Sequence, residues 1–353
     1  MNSFEKLGLR QTLIDAIVKD GIVEPTQVQS EGIPAIIEGK DVLGQSATGS
    51  GKTLAFGLGI LQNAAKYDKR CALILTPTRE IAHQVTAVLN EAGKIERTKA
   101  TAVYGGVSIN PQIDAMKHAH IIVGTPGRIM DHMERGTLDL RNIKMFVLDE
   151  ADKMFDMGFI DDIRKIMGEL PKERQTLLFS ATFSYDIMQV ATRYMRDYVK
   201  IEATQQVDPT KLKQIYYDVE NNMKFSLLVH LLNKEDSGLV MVFCSTRRNV
   251  DFVASNLRKN KINAVSIHGG LTQNKRSRIM KEFQGADVHV LVCTDVAARG
   301  LDISGVSHIY NYDLPSVSND YIHRIGRTAR AGKEGVAISL LSNRDYENFG
   351  CIK

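Results

Sequence analysis

Short apolar runs recur along the chain and alternate with longer segments that have helical spacing. The runs are apolar throughout, which is typical of parallel strands buried on both faces of a sheet. In the first half of the chain the predicted strands are 71–76, 100–104, 120–125, 145–149 and 176–180, after a shorter run at 42–43. In the second half they are 214–219, 239–244, 263–268, 288–293, 308–312 and 336–341. This alternation predicts an α/β fold of mostly parallel sheets with helices on both faces.

The segments between the runs predict helices. Residues 4–20 carry apolar side chains at helical spacing, and Gly21 ends that segment. Pro25 stands where a helix can begin, since its missing N–H costs nothing in the first turn. Further helices are predicted at 54–61, 249–259 and 273–283.

A polar stretch at 204–210 interrupts the pattern. It contains Pro209 and no apolar period, so it predicts a linker. The strand pattern then restarts, which predicts an N-terminal domain at 1–203, a linker at 204–211 and a C-terminal domain at 212–353. The 353 residues agree with about two domains of ordinary size.

A glycine-rich segment follows the first apolar run and precedes a helical one. Its residues are Ser46, Ala47, Thr48, Gly49, Ser50, Gly51, Lys52 and Thr53. Strand, glycine-rich turn, Lys-Thr and helix is the order of a phosphate-binding loop, whose backbone N–H groups and helix N-terminus face the anion. Lys52 would neutralise phosphate charge, and the Thr53 hydroxyl suits Mg²⁺. Taken alone, the segment is also compatible with an ordinary turn before a helix.

An acidic pair directly follows the predicted strand at 145–149. Ligands of open parallel sheets bind beyond the carboxyl ends of the strands, where Asp149 and Glu150 stand. Asp149 can hold Mg²⁺, and Glu150 can orient and deprotonate a water. The competing interpretation is an acidic helix N-terminus. Together with Lys52 and Thr53, the pair favours a nucleoside triphosphatase.

Three arginines lie close together near the end of the chain. Arg324, Arg327 and Arg330 share one side if the segment is helical. Bringing such charges together requires an anion, and arginine fingers stabilise a transferring phosphate. Taken alone, the arginines favour a solvated basic helix or a nucleic-acid patch. The phosphate loop in the other domain favours the arginine fingers.

Composition limits the possible cellular location of the protein more than it limits the possible chemistry. The net charge of +4 and the pI of about 8.7 neither require nor exclude nucleic acid. The four cysteines form no CxxC pair, and three of them lie in predicted strands, as expected of inert thiols in a reducing compartment. The charged N-terminus does not read as a signal peptide, and no apolar run spans a bilayer. We expect a cytoplasmic protein without a membrane segment.

The motifs together resemble those of the DEAD-box RNA helicases. The tetrapeptide at 149–152 reads Asp-Glu-Ala-Asp, which names that family. Around it, in the order of the family, stand Pro25 with Thr26 and Gln29, then 46–53, 77–80, 105–106, 125–128, 180–182, 242–244, Gln273 with Arg276, 294–295, 298–302 and 323–330. These segments cover nearly the whole chain. The resemblance implies two RecA-like domains that bind ATP, Mg²⁺ and RNA.

The resemblance also assigns roles to matching residues. Phe4, Gln29 and Asp302 would contact the nucleoside, with Gln29 on the adenine edge, and residues 46–53 would hold the phosphates. Thr53 and Asp149 would hold Mg²⁺, while Glu150 would activate water. Catalysis would rest on Lys52, Asp149, Glu150 and the two fingers, Arg327 and Arg330.

Two further groups follow from the resemblance. One would couple the nucleotide state to domain closure: Asp152, Ser180, Thr182 and His323. The other would contact RNA phosphates and sugars without reading bases: Thr78, Arg79, Gly105, Gly106, Thr125, Arg128, Arg276, Thr294 and Arg299. Backbone amides, helix N-termini and guanidinium groups are all suited to binding phosphate.

The chain departs from the family at a few positions. Ile22 stands where the family has an aromatic residue that supports the adenine, so weaker ATP binding or a looser base preference is expected. Ser46 replaces the usual alanine and Ala329 a common glycine, both minor changes. The chain ends soon after its last predicted strand, which is expected of a short core or of a protein cut from a longer one.

The predicted function is an RNA-dependent ATPase that unwinds short RNA duplexes or remodels RNA–protein complexes. ATP and RNA together would close the two domains, and hydrolysis would reopen them. The same motifs leave open an ATP-gated RNA clamp or scaffold that seldom unwinds. A DNA-directed ATPase remains a second alternative, because phosphate contacts are shared and only the 2′-OH distinguishes RNA.

Overall fold

The computed structural model describes residues 3–45, 50–67, 70–202, 211–234, 237–298, 303, 305–329 and 334–352. The chain divides into two compact units, 1–205 (unit 1) and 206–353 (unit 2). The predicted linker at 204–211 lies, apart from Lys211, outside the described residues, so its limits stay a prediction.

Unit 1 contains a seven-stranded sheet in which each recorded strand pairing is parallel. Its strands are β1 (Val42–Gln45), β2 (Ala72–Leu75), β3 (Ala100–Val103), β4 (Ile121–Gly124), β5 (Met145–Leu148), β6 (Gln175–Ser180) and β7 (Val199–Glu202). Their order across the sheet is β3-β4-β2-β5-β6-β1-β7. The predicted strands of this half are therefore confirmed, and β7 is an addition that the sequence did not predict.

Helices cover both faces of this sheet. A short 3-10 helix at Ser3–Leu7 precedes α1 (Gln11–Lys19), α2 (Gln27–Ile37), α3 (Lys52–Ala64), α4 (Arg79–Ala92), α5 (Asn110–Met116), α6 (Pro126–Glu134), α7 (Ala151–Asp156), α8 (Ile160–Glu169) and α9 (Tyr185–Tyr194). Successive strand residues point to opposite faces, so Leu73 packs in one buried cluster and Ile74 in the other. Burial on both faces explains why the strands are apolar throughout.

Unit 2 repeats this architecture with six strands. They are β8 (Leu212–Asp218), β9 (Leu239–Phe243), β10 (Ala264–Ile267), β11 (Val290–Cys293), β12 (Val306–Asn311) and β13 (Gly335–Leu341), in the order β10-β11-β9-β12-β13-β8. Its helices are α10 (Lys224–Lys234), α11 (Arg247–Lys259), α12 (Gln273–Gln284), α13 (Asp295–Ala298), α14 (Ser318–Ile325) and α15 (Tyr346–Ile352). Two buried clusters again lie on the two faces of the sheet. The predicted α/β fold of two parallel-sheet domains is confirmed.

One helix prediction was wrong, and the condition attached to another statement about a helix is not met. The single helix expected at 4–20 is a 3-10 helix and α1, separated at Gly8, whose φ of +79° breaks the helical path. The arginines near the C-terminus do not share one helix, because α14 ends at Ile325, before Arg327. Among the residues that the structure describes, no helix is both long and apolar enough to cross a membrane.

Candidate functional site

The phosphate loop reaches the described residues at its last turn. Ser50 is buried, and Gly51 precedes α3 with a φ of +88°. A Cβ atom at Gly51 would lie 2.4 Å from Gln29 Nε2, so both the backbone conformation and the space require glycine. Residues Ser46, Ala47, Thr48 and Gly49 lie outside the described residues, and their phosphate contacts stay a prediction.

Lys52 meets the acidic pair in the interior of unit 1. Lys52 begins α3, while Asp149 and Glu150 follow β5, and all three side chains are buried. Lys52 Nζ lies 3.3 Å from Asp149 Oδ1 and 3.4 Å from Glu150 Oε1. The structure therefore brings together the lysine and the two carboxylates that the sequence assigned to catalysis.

Burial and the charges of neighbouring groups oppose each other in this cluster. Removal from water raises the pKa of Asp149, and the positive charge of Lys52 only partly opposes this effect. For Lys52, burial alone would lower the pKa, but Asp149 and Glu150 outweigh it and raise the pKa. Asp149 Oδ1 is buried without a hydrogen bond of good geometry among the described residues. The cluster is held by charge, and its hydrogen-bonding capacity is incompletely used.

Glu150 has an unusual backbone and a partner that the sequence analysis missed. Its φ of 55° and ψ of 51° place it in the left-handed region, which is rare for a residue other than glycine and frequent at functional sites. The buried Lys153 donates to Glu150 Oε2 at 2.8 Å. The spacing of three residues between Glu150 and Lys153 is a sequence signal that could have found this pair.

The predicted adenine contacts are engaged with protein in this structure. Gln29 Oε1 accepts a hydrogen bond from the Thr26 backbone N–H at 2.9 Å, and Gln29 Nε2 donates to the Gly51 carbonyl at 3.1 Å. Phe4 is fully buried in the core, and Ile22 packs against the same core cluster. Gln29 thus connects the start of α2 to the phosphate loop, while base contacts by Phe4 and Gln29 stay predictions.

Asp152 links the acidic tetrapeptide to the end of β6. Its carboxylate accepts hydrogen bonds from the backbone N–H groups of Lys153, at 3.0 Å, and of Ala181, at 3.1 Å. Ala181 stands between Ser180, which is fully buried, and the half-buried Thr182. Three of the four predicted coupling residues are therefore adjacent in unit 1.

The predicted RNA residues of unit 1 follow three neighbouring strands. Thr78 and Arg79 come after β2, Gly105 and Gly106 after β3, and Thr125 and Arg128 after β4; these six residues are called the RNA strip. A Cβ atom at Gly106, whose φ is +80°, would lie 2.3 Å from the guanidinium of Arg79.

Hydrogen bonds hold the other parts of the RNA strip in place. Arg128 donates to the Val107 carbonyl at 3.1 Å. The Thr78 side chain caps α4 by accepting from the Ile81 backbone N–H, and Thr125 precedes α6. The strip thus combines guanidinium groups with two helix N-termini.

Unit 2 contributes fewer described residues to the predicted sites. The Thr294 hydroxyl accepts from the Ala297 backbone N–H, and Arg276 donates to the Ala297 carbonyl at 3.5 Å. Both side chains therefore meet at α13. Arg299 and Asp302 lie outside the described residues, so their roles stay predictions.

The three C-terminal arginines separate into different environments. Arg324 is buried and makes a two-point contact with Asp295 at 2.6 and 2.7 Å, so Asp295 is the anion that it requires. Arg327 is buried after α14, and His323 lies half-buried within that helix. Arg330 lies outside the described residues.

The parallel sheets, the buried lysine and the acid pair define a class of protein: a nucleoside triphosphatase with two RecA-like domains. The DEAD/DEAH box helicase model matches residues 26–190, and the helicase conserved C-terminal domain matches residues 223–332. The DEAD-box ATP-dependent RNA helicase CshA of Geobacillus kaustophilus is 46% identical over 98% of this chain and 74% of its own length. The chain therefore belongs to the family of DEAD-box ATP-dependent RNA helicases.

Other relatives agree with this assignment. CshA of Bacillus subtilis is 44% identical over 99% of this chain and 72% of its own length. Dbp5 of S. cerevisiae, in a structure bound to RNA and ADP BeF3, is 34% identical with a TM-score of 0.89, over 100% of this chain and 92% of that one. The chain spans between 65% and 74% of the length of the CshA proteins it matches.

Proposed function

We propose that this chain hydrolyses ATP when RNA is bound and uses domain closure to separate short RNA duplexes or to remodel RNA–protein complexes. The buried cluster of Lys52, Asp149 and Glu150 at the carboxyl ends of the strands carries this proposal. The naming of the relatives as ATP-dependent RNA helicases, and the RNA bound to Dbp5, support it. We also propose a cytoplasmic location.

In the proposed reaction Lys52 holds the outer phosphates of ATP. Its ammonium already lies between two carboxylates, so it can exchange a contact with Asp149 or Glu150 for a contact with phosphate. Glu150 orients the attacking water and accepts its proton. The left-handed backbone of Glu150 and the hydrogen bond from Lys153 fix the direction of that carboxylate before ATP arrives.

The residues of this site fit Mg²⁺. A hard cation prefers oxygen ligands, and Asp149 offers a buried carboxylate whose Oδ1 lacks a hydrogen bond among the described residues. Because burial raises the pKa of Asp149, a divalent cation would stabilise its charged form. Asp149 and Thr53 would hold the ion, which would neutralise charge on the transferring phosphate.

Unit 2 supplies the residues that make hydrolysis depend on closure. Arg327 and Arg330 would stabilise the charge that develops on the phosphate, as arginine fingers do. Asp152, Ser180, Thr182 and His323 would transmit the nucleotide state. The hydrogen bond between Asp152 and the Ala181 backbone supports this role, because it joins the acidic tetrapeptide to the segment after β6.

RNA would bind along the RNA strip of unit 1 and at Arg276, Thr294 and Arg299 of unit 2. The strip offers guanidinium groups and helix N-termini, which bind phosphate without reading bases. The position of the Arg79 guanidinium against Gly106 supports a common surface on the ends of β2 and β3.

Steady-state ATP hydrolysis with and without RNA tests the proposal. We expect weak turnover alone and strong stimulation by single-stranded RNA, with less stimulation by DNA of equal length and sequence. Equal rates in all three conditions would contradict the RNA dependence. Strand displacement of a short duplex, measured beside the ATPase rate, distinguishes unwinding from an ATP-gated clamp, which would hydrolyse ATP without separating strands.

A further inference from the structure

Basic side chains stand at the amino ends of the strands in unit 1, at the edge of the sheet opposite the RNA strip. Lys99 directly precedes β3, His120 precedes β4, and Arg70 lies two residues before β2. In unit 2 the residues directly before β8 to β13 are, in order, Lys211, Gly238, Asn263, His289, Gly305 and Glu334. Only two of these six are basic, so the fold does not require a basic residue at the start of a strand.

The basic residues of unit 1 surround a cavity of about 580 Å³, called here the amino-edge cavity. Its charged and imidazole side chains are Arg70, Arg97, Lys99, Lys117, His118, His120 and Asp139. Four permanent cations thus face one carboxylate. This excess of positive charge within one concave surface attracts anions.

The one carboxylate of the cavity is already paired. Arg141 contacts Asp139 through two guanidinium nitrogens, at 3.0 and 2.8 Å, and this hydrogen bonding lowers the pKa of Asp139 to about 2. The exposed Asp114 pairs with Lys117 at 2.7 Å, whereas among the described residues no carboxylate lies within ion-pair distance of Arg70, Arg97 or Lys99. The cavity therefore keeps a net positive charge.

Arg70 is held in the wall of the cavity. It is half-buried, and its guanidinium donates to the Met116 carbonyl at 2.6 Å, while its buried Nε has no hydrogen-bond partner among the described residues. Burial lowers the pKa of Arg70, with only a partial opposing effect of Asp139. A fixed guanidinium held by a carbonyl rather than a carboxylate is suited to an external phosphate, because little side-chain entropy is lost on binding.

A second cavity at the same edge gives an internal comparison. It has a volume of about 560 Å³, and it is lined by four carboxylates and by five cations, which are Lys40, Lys66, Lys144, Arg174 and Arg196. Cavities at this edge thus differ in charge while they agree in size. The formal excess is one positive charge in the second cavity and three in the amino-edge cavity, so a large positive excess distinguishes the amino-edge cavity.

We propose that the amino-edge cavity is a second phosphate-binding site, which takes the backbone of RNA that extends beyond the RNA strip. This inference rests on the proposed function. The same three strands, β2, β3 and β4, carry strip residues at their carboxyl ends and the basic residues of the cavity at their amino ends. From Lys99 to Gly105 is six residues of extended chain, or about 20 Å. A flanking RNA segment that follows the edge strand β3 spans that distance.

The test compares a short single-stranded RNA, which fills only the strip, with one several times longer. The variant replaces three exposed cations of the cavity, Arg97→Gln, Lys99→Gln and Lys117→Gln together. We expect its dissociation constant for the long RNA, measured by fluorescence anisotropy with a non-hydrolysable ATP analogue, to rise between ten- and a hundredfold at about 0.1 M salt. The slope of log affinity against log salt should fall by about 2, since each single-strand phosphate contact contributes roughly 0.7.

A matched control separates the site from general charge loss. Lys6→Gln, Lys19→Gln and Lys165→Gln together remove the same charge from exposed positions of unit 1 and should leave both RNAs bound as before. Equal losses in the two triple variants, or equal losses for short and long RNA, would overturn the proposal. A third outcome is that inorganic pyrophosphate binds the wild-type protein but not the cavity variant, while both proteins bind the long RNA with equal affinity. That outcome would show a site for small anions and would overturn the RNA assignment.

The short RNA keeps the two proposals apart. Stimulation of ATP hydrolysis by the short RNA should be the same in the wild-type protein and the cavity variant. If the short RNA does not stimulate ATP hydrolysis by the wild-type protein, the proposed function is contradicted. If the cavity variant loses affinity equally for the long and the short RNA, only the second phosphate site is contradicted. Melting temperatures of both triple variants establish that the compared proteins are folded.

Discussion

Lys52 in unit 1 and Lys224 in unit 2 are both buried beside carboxylates, but their surroundings differ. In unit 2 Lys224 Nζ donates to Asp345 Oδ2 at 2.6 Å and to the Tyr312 carbonyl at 3.1 Å. Asp345 Oδ2 accepts two more hydrogen bonds, from the backbone N–H and hydroxyl of Ser342. Burial alone would raise the pKa of Asp345, but these hydrogen bonds and Lys224 lower it. This pair is complete without any ligand.

The cluster in unit 1 is incomplete by the same criteria. Lys52 Nζ lies 3.3 and 3.4 Å from its two carboxylates, farther than Lys224 Nζ lies from Asp345. Burial raises the pKa of Asp149, whereas at Asp345 the hydrogen bonds and Lys224 outweigh burial and lower the pKa. The left-handed backbone of Glu150 adds strain that the pair in unit 2 lacks. We infer that the pair in unit 2 stabilises the fold and that the cluster in unit 1 is arranged for a phosphate and a cation.

Glu150→Gln should give the largest effect on catalysis. Because the amide cannot accept the proton of the attacking water, we expect kcat for RNA-stimulated hydrolysis to fall about 10³-fold. ATP should remain bound, and the closed complex with RNA should accumulate. Steady-state ATPase and RNA anisotropy with ATP measure both. Normal turnover would refute the role of Glu150 as general base.

Asp345→Asn should act on stability instead. Removing one partner of a buried ion pair leaves the Lys224 charge uncompensated, so the free energy of unfolding of unit 2 should fall by about 3 kcal/mol. Denaturant unfolding measures this change, with the exposed Glu220→Gln as a control that stays within about 0.5 kcal/mol. Turnover per folded molecule should be unchanged; a large loss of turnover at full folding would make the pair catalytic.

The same variant has a defined pH dependence. The folded pKa of Asp345 lies below its ordinary value of 3.8, so its ionised form stabilises the protein above that pH. The advantage of the wild-type protein over Asp345→Asn should therefore shrink as pH falls below 3.8 and be constant above about pH 5. A difference that grows on acidification would contradict the assignment.

Lys153→Met tests whether the partner of Glu150 acts in catalysis or only in packing. We expect about a tenfold lower kcat with little change in KM for ATP, because Glu150 loses the hydrogen bond at 2.8 Å that orients it. Lys153→Arg, which keeps the charge, should recover part of the rate. A lower melting temperature with unchanged kcat in Lys153→Met would assign Lys153 to packing alone.

Ile22→Phe should give the smallest effect, at the adenine end of the ligand. An aromatic ring there would pack on the base, and such contacts contribute about 0.5–1.5 kcal/mol. The dissociation constant for ATP should fall about threefold, as measured by calorimetry. The neighbouring exposed Val23→Phe is a matched control without effect. Equal ATP affinity in the wild-type protein and Ile22→Phe would show that the aromatic is immaterial.

Sequence patterns predicted the sheets well because burial on both faces leaves a continuous apolar signal. The strand β7 escaped prediction because it is an outer strand of the sheet, with exposed Lys200 and Glu202 that interrupt its apolar run. The break at Gly8 was missed because helical spacing continues on both sides of it. The periodicity of apolar residues therefore predicts interior strands and helices more reliably than the outer strands of a sheet or the ends of helices.

At the site, residues in contiguous motifs were predictable and their partners were not. The spacing of the motifs indicated Lys52, Asp149 and Glu150. The three-residue spacing of Glu150 and Lys153 allows their contact, but the sequence does not reveal that Lys153 is buried, which is what makes it a fixed partner of Glu150. Asp295 was missed as the partner of Arg324 because the fold brings the first residue of α13 to a residue of α14 that is 29 positions later in the chain.

The most direct test of the central claim is the RNA-stimulated ATPase rate of Arg327→Ala beside that of the wild-type protein. The claim is that the cluster in unit 1 is half of a site completed by Arg327. The variant should lose about 10³-fold of the stimulated kcat, as expected of an arginine finger, and keep ATP affinity within a few fold. The exposed Arg344→Ala should behave as wild type. Wild-type stimulation in Arg327→Ala, or loss of ATP affinity with little change in kcat, would contradict the claim.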